Sequence, residues 1–383
     1  MTVDPMRPAR SPLAEALSEA LRDAPPAHAA RGVARDWWRH LGERGLLALG
    51  FDADGAVPLA DACALSALAA LIARESASLG AATAWLSNQL IGGVVLAPHA
   101  RSEAHHALLC AMSRGEALVA LAFCEAGAGA QPAPPSCRAT RDGDGWTLDG
   151  HKAFVHHGAA ADAFVVLATD VDARGRPGVD AFVVAADAPG LSREPAVWIA
   201  GLDSHTHCGL HLAGVRVDEA QRLGEPGRAL ADIARPLGTI EEALRIGPVL
   251  GAMHAELDAI ALWLRTVPPA RRPTRSLGAL QIELEALAPL AAHAARHLDL
   301  HGADERLAAL SAGTHEALAR WQSAFESFAA PLDDHGPALP ALVRDLHRML
   351  GLSRRGTEAR QRRAGEAMIG IPGRHPLPAL AAP

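Results

Sequence analysis

Aromatic residues are scarce in this chain, at 4% of 383 positions, and tyrosine is absent. The formal net charge is −7, and no stripe of lysine and arginine interleaves with the few aromatics. Binding to nucleic acid needs clustered cations facing phosphates, so this balance excludes nucleic acid as an expected partner. The one basic run, Arg354, Arg355, Arg360, Arg362 and Arg363, reads as a solvated helix face or an anion site. Cysteine is sparse too: Cys63, Cys110, Cys124, Cys137 and Cys208 are scattered without a paired framework. That usage fits a reducing compartment, and a cytoplasmic location is expected. No apolar run of membrane-spanning length is free of polar interruption, and no charged segment followed by an apolar one opens the chain. Neither a membrane span nor a secretory leader is therefore expected. A Walker loop, a Gly-x-Gly-x-x-Gly after a strand, a Gly-x-Ser-x-Gly elbow and a His-Glu-x-x-His pair are all missing. Their absence removes the usual nucleotide-binding, serine-hydrolase and zincin readings.

What is present is apolar bulk. Hydrophobic residues make up 49% and charged residues 21%, enough for a large core in two or three domains. Alanine and leucine dominate both ends, while β-branched residues gather between about 119 and 217. Helical ends around a β-rich middle follow from those preferences. Helices are expected over 11–22 (with Ser11 as N-cap), 30–46, 59–79, 81–96 and 102–113. Strands are expected over 117–123, 137–141, 145–148, 163–168, 179–185 and 208–217, with Asp142-Gly143-Asp144-Gly145 as a hairpin turn. Evenly spaced strands of this kind suggest a small barrel or sandwich. Helices return over 246–264, 280–300, 307–328 and 341–369, with apolar stripes that face a bundle core or a neighbouring subunit. The domains read as 1–116 (helical), 117–227 (β), 228–371 (helical bundle) and a 372–383 tail, an α+β chain.

Two motifs stand out: Phe123-Cys124-Glu125-Ala126-Gly127-Ala128-Gly129, and the hairpin that ends Asp149-Gly150-His151-Lys152. Their spacing resembles the flavin-holding middle domain of the acyl-CoA dehydrogenase family. Members typically carry Thr-Glu-Pro-Gly-Ala-Gly-Ser and then Asn-Gly-x-Lys-x-Trp-Ile-Thr-Asn. The helix–sheet–helix order is also that family's, with an N-terminal helical domain, a middle β-barrel or sandwich domain and a C-terminal four-helix bundle.

The resemblance implies FAD, or FMN, held by Phe123, Cys124, Gly129, Ala130, Phe154, His156 and Thr357, with binding weakened or lost. Cys124 replaces a threonine and Ala130 a serine, and Phe154-Val155-His156-His157 stands where Trp-Ile-Thr-Asn is usual. Phe154 can still pack on a flavin ring. His156 can donate to its N5 and, being titratable, can supply a proton. The family's base is most often the glutamate of Tyr-Glu-Gly-Thr. Here Arg354-Arg355-Gly356-Thr357 takes that place, and an arginine cannot accept a proton at working pH. Other members supply the base from a glutamate ten residues before a helix glycine. Counting back from Gly251 gives Glu241, with Glu242 one register step away. Glu241 and His156 are the catalytic candidates.

Ser204, Thr206 and Arg355 are the candidates for holding substrate, from the Gly-Leu-x-Ser-x-Thr segment and the altered C-terminal motif. His205, His207 and His211 beside Cys208 follow no metal-ligand signature, so no metal is expected. Arg272 or Arg275 would meet a pyrophosphate.

The implied activity is flavin-dependent α,β-dehydrogenation of an acyl thioester, carried on CoA or on a carrier protein, in specialised metabolism. An electron-transfer partner or flavin reductase and a homodimer or homotetramer are part of the same implication. Two other functions stay open: a monooxygenase of this fold fed with reduced flavin, and a flavin-free enzyme or binding protein on a degenerate version of it.

Overall fold

The computed structural model describes residues 11–26, 33–52, 58–126, 134–171, 176–195, 206–332, 339–352 and 354–370. The N-terminal helices are α1 (Pro12–Asp23), α2 (Arg35–Glu43), α3 (Ala62–Ser76), α4 (Leu79–Leu90) and α5 (Glu103–Ser113). Four of the five start on a side-chain cap. Ser11, Asp61, Ser78 and Ser102 each accept a backbone N–H three residues ahead, satisfying a donor the helix cannot pair itself. The α2 span is shorter than the 30–46 expected from spacing. It stops at Glu43 because the chain turns through Gly45 at φ 70°.

α4 continues through a π-helical turn, Ile91–Leu96, to His99. This 21-residue stretch is long and apolar enough to cross a bilayer by length and composition, yet 78% of its apolar 18-residue window is buried inside the protein. Its polar interruptions are what tie it down. Asn88 Nδ2 donates to the Leu47 carbonyl at 2.7 Å, and Gln89 Oε1 accepts from Leu49 and Gly50 N–H at 2.9 Å. Trp85 Nε1 donates to the Leu46 carbonyl at 2.8 Å.

The strands are β1 (Val119–Ala122), β2 (Arg138–Asp142), β3 (Gly145–His156), β4 (Ala163–Val171), β5 (Pro177–Ala185), β6 (Leu191–Arg193), β7 (His207–Val217) and β8 (Arg222–Leu223). They form one sheet in the order β6-β7-β3-β2-β4-β5-β8, with β1 parallel to β4. The β2–β3 hairpin closes at Asp142 opposite Gly145, with Gly143 at φ 64°. β3 runs eight residues beyond the span expected from alternation, because β7 pairs with it along its whole length. Two register shifts interrupt that pairing, between Leu148 and Gly150 and between Lys152 and Val155. Each is a place where the strand bends and re-aims its side chains. Trp146, Phe164 and Phe182 fill the sheet's buried side, with the Trp146 and Phe182 rings 5.3 Å apart.

The C-terminal helices are α6 (Arg235–Leu244), α7 (Ile246–Leu264), α8 (Thr274–His301), α9 (Glu305–Ala329), α10 (Leu339–Leu352) and α11 (Arg354–Met368). The helix expected over 341–369 is two helices; Gly351 in its last turn weakens continuity there. α8 starts six residues before the expected position, directly after Pro273, where a missing N–H costs nothing. α9 buries Leu307, Thr314, Leu318, Trp321 and Phe325 as its spacing predicts. α7 lies against α3 at backbone distance. A Cβ on Gly247 would sit 2.3 Å from the Ser66 carbonyl oxygen, and one on Gly251 would sit 2.0 Å from that of Ala70. Only glycine permits this approach, which places the end of α6 beside α4 and the sheet.

Candidate functional site

All three parts of the fold meet at a cavity of about 140 Å³. Thr83, Leu86 and Leu90 of α4 supply one wall, and Met349 and Leu352 of α10 another. His156 of β3, His207 of β7, Glu241 of α6 and Arg245 at the α6–α7 junction supply the polar groups. Glu241 and Arg245 share a wall because they are four residues apart in continuous helical backbone, joined by the Arg245 N–H to Glu241 carbonyl bond at 3.0 Å.

Glu242 is turned away by that same period. Its carboxylate takes both nitrogens of the Arg360 guanidinium, each at 2.7 Å, with side-chain exposures of 10% and 26%. Its carbonyl accepts from His315 Nε2 at 2.8 Å. Burial, with Arg245 nearby, pushes the His315 imidazole down to about 4. The two neighbouring acids are thus separated: Glu242 is committed to the bundle, and Glu241 faces the cavity. Desolvation raises the Cys124 thiol, and the Glu241 carboxylate adds to that shift, which sets Cys124 within electrostatic reach of Glu241.

The second register shift of β3 shapes the sheet side of the site. It holds Phe154 at φ 55°, in the left-handed region that bulky residues avoid, and leaves the ring 56% exposed. Three residues on, His157 adopts φ 56° and donates its N–H to the Thr206 carbonyl at 2.8 Å. The His156 ring lies 3.7 Å from that of His157 and 5.2 Å from that of His207, its cross-strand partner. Burial pushes His157 down to about 3 and lowers His207 as well. Both ring nitrogens of His157, Nδ1 of His207 and Oγ1 of Thr206 are buried without a hydrogen-bond partner among the described residues. Such atoms cost free energy when left unpaired, so their gathering leaves donors and acceptors available to a polar partner.

The loop and the strand are clamped by a buried ion pair. Lys152 is the only lysine in the sequence and is fully buried. Its Nζ donates to Glu125 at 2.7 Å. Glu125 also accepts from Ser136 N–H and Oγ, each at 2.6 Å, and from Cys137 N–H at 3.0 Å. Burial raises the Glu125 carboxyl, but these donors outweigh it and hold the group at about 2. The Ala153 N–H donates to the Cys124 carbonyl at 2.9 Å, completing the junction.

Of the residues singled out by sequence, His156 and Glu241 come together in the cavity. Phe123, Cys124 and Phe154 lie on the loop and strand that the Lys152–Glu125 pair joins. Thr206 is buried beside His157, and Thr357 is buried in α11 and is not among the residues described as lining the cavity. Gly129, Ala130 and Ser204 lie outside the described residues, as does the side chain of Arg355. The Arg272 guanidinium donates to the Val267 and Arg265 carbonyls at the end of α7. His207 and His211 do not act together: His207 stacks on His156, and His211 meets Glu194. Arg245 and the Glu125–Lys152 clamp were not singled out from the sequence, and His207 was weighed there only as a metal ligand. Arg245 had a readable signal, four residues beyond Glu241, whereas His207 needed the β3–β7 register.

Residues 120–215 match the family model described as acyl-CoA dehydrogenase, middle domain. Rat (Rattus norvegicus) mitochondrial short-chain specific acyl-CoA dehydrogenase is 28% identical over 223 residues, 57% of this chain and 53% of that protein. L-prolyl-(peptidyl-carrier protein) dehydrogenase of Pseudomonas fluorescens is 28% identical over 260 residues, 66% of this chain and 67% of that protein. The matched part of the chain thus spans about half to two thirds of these relatives' length. Butyryl-CoA dehydrogenase from Megasphaera elsdenii superposes with a TM-score of 0.75 over 95% of this chain and 100% of that one. At 19% identity, that is a likeness of fold. Residues 120–215 are thus similar to an acyl-CoA dehydrogenase middle domain, set between helical regions in a fold like that of butyryl-CoA dehydrogenase.

Proposed function

We propose that this protein dehydrogenates a short acyl thioester at Cα–Cβ, with Glu241 as the base that removes the α-proton. The observation that carries the reading is the separation of the acids: Glu241 faces a cavity at the junction of sheet and helices, while Glu242 is held by Arg360. A base must reach the proton it takes, and Glu241 lining the cavity supports it over Glu242.

The residues present fit a flavin. The exposed Phe154 ring offers a flat apolar face beside the cavity histidines, and the unpaired Thr206 Oγ1 and His207 Nδ1 offer polar contacts. Phe154, Cys124, His156 and the backbone of the glycine-rich loop would hold it, with the Lys152–Glu125 pair keeping loop and strand in register. When bound, a flavin supplies the acceptor for the β-hydride. Glu241 takes the α-proton, and Arg245 offers donors to a polar group of the substrate in the same cavity. Apolar side chains of α4 and α10 line the cavity beside these groups. A cavity of about 140 Å³ is below the usual range for drug-sized ligands, which supports a short acyl group over a long chain. The Pseudomonas relative is named for a substrate on a peptidyl-carrier protein, so carrier-bound acyl groups stand beside CoA esters as candidate substrates.

Two imidazoles in the cavity favour one second reading, a monooxygenase fed with reduced flavin, since imidazole nitrogens can donate or accept a hydrogen bond at a bound polar group. The test is the visible spectrum after incubation with FAD and desalting, followed by addition of short acyl thioesters without oxygen. Retained flavin absorption that bleaches with an acyl thioester supports dehydrogenation. Flavin that stays oxidised with every thioester, or is never retained, overturns it. Oxygen uptake that requires added reduced flavin would then favour the monooxygenase.

A further inference from the structure

Away from the cavity, three neighbouring strands bring two imidazoles and a carboxylate together. His151 of β3 and His211 of β7 stand directly opposite each other, and Glu194 follows β6, the strand on the other side of β7. Both histidines point Nε2 at one oxygen, Glu194 Oε1, at 3.0 Å from His151 and 2.8 Å from His211. The two rings are 4.5 Å apart, and the three ligand atoms all lie within 4.8 Å of one another. Opposed residues on paired strands have Cβ atoms about 5 Å apart, a separation that lets two imidazoles converge on one point.

A second observation concerns the space between them. Gly209 lies on β7 two residues before His211, on the same side of the strand. A Cβ there would sit 2.1 Å from Glu194 Oε2 and 3.1 Å from His151 Nε2. Any side chain at 209 would collide with the carboxylate and crowd the imidazole. Glycine lets Glu194 seat against the β7 backbone beside His151, and the three side chains are 36%, 36% and 55% exposed, so solvent and ions have access.

We propose that His151, Glu194 and His211 form a binding site for a divalent transition ion of the zinc type. Two imidazole nitrogens and a carboxylate oxygen are a donor set suited to borderline ions such as Zn²⁺, with water completing the coordination. An ion there would join edge strand β6 to β7 and β3. The site is separate from the cavity histidines: His156 and His207 pair five residues further along β3, beyond its second register shift.

Protein made metal-free by dialysis against a chelator would be titrated with Zn²⁺ in competition with a chromophoric chelator, alongside thermal melts. The expected result is one tightly held equivalent and a melting temperature that rises and saturates with Zn²⁺. His211→Gln and Glu194→Gln keep a hydrogen-bonding group near the atom each replaces, and each should weaken binding by roughly tenfold or more. Absence of Zn²⁺ binding in competition would overturn the site. So would unchanged affinity in a His151→Asn/His211→Asn double variant that melts like the wild type, since the ion would then sit elsewhere, for example at Asp61, Cys63 and Asp299.

Discussion

At the scale of single residues, one step along a helix decides chemistry. Glu241 and Glu242 are identical side chains about 100° apart on α6, and that rotation sends one to the cavity and the other to Arg360. Glu241→Gln should lower turnover about 10²–10⁴-fold while leaving substrate binding and the melting temperature near wild type. Glu242→Gln should do the reverse, keeping the rate and costing roughly 2 kcal/mol of stability by leaving Arg360 without its partner. Steady-state kinetics and denaturant melts on both variants check the assignment; exchanged phenotypes would move the base to Glu242. Phe154 is a second such residue. Its ring is exposed at a strained φ, so packing in the free protein does not account for it. Phe154→Ala should change stability by less than about 0.5 kcal/mol yet reduce flavin retention. A measured FAD affinity equal to wild type would remove the ring from the site.

At the scale of elements, the site depends on one irregular place, one ion pair and one close contact. The register shift between Lys152 and Val155 aims Phe154 and His156, and the Lys152–Glu125 pair fixes that stretch to the loop. The contact is between α3 and α7, where Gly247 and Gly251 let the backbones touch. Gly251→Val would place atoms inside the Ala70 carbonyl, forcing the helices apart at a cost of about 3 kcal/mol or more. The expected outcome is a melting temperature several degrees lower, together with weakened activity, because α6 moves with α7. A Gly278→Ala control, where a Cβ meets nothing within 4 Å, should be neutral or slightly stabilising.

At the scale of the whole molecule, buried histidines set the acid limit. His157 is held near 3 and His315 near 4 by burial, against an ordinary value of 6.5. Their folded values lie below the unfolded ones, so between these limits the unfolded chain binds more protons. Stability is therefore full above about pH 6.5 and is lost progressively as pH falls towards 4 and then 3, by about 2 kcal/mol for each histidine at pH 5. Glu125 adds a second, lower window, from its ordinary 4.5 down to about 2, in which protonation removes the Lys152 pair. Thermal melts should show a steady decline below pH 6.5. His157→Asn should flatten part of it, since asparagine tolerates positive φ and does not titrate. An unchanged pH slope in that variant would show that His157 is not the group responsible.

Composition and periodicity were enough to read the order of helices, sheet and helices, because apolar spacing and β-branched clustering are local properties. Ser11 as a cap, the Asp142–Gly145 turn and the α9 stripe were legible for the same reason. The count back from Gly251 named Glu241, but nothing in the sequence could separate it from Glu242; the partner that claims Glu242 is 118 positions away, in α11. The extent of β3, the pairing of His156 with His207 and the meeting of His151, Glu194 and His211 depend on β7 and β6, which join the sheet only when the chain folds. Local preference wrote the elements, and long-range packing decided which side chains face one another.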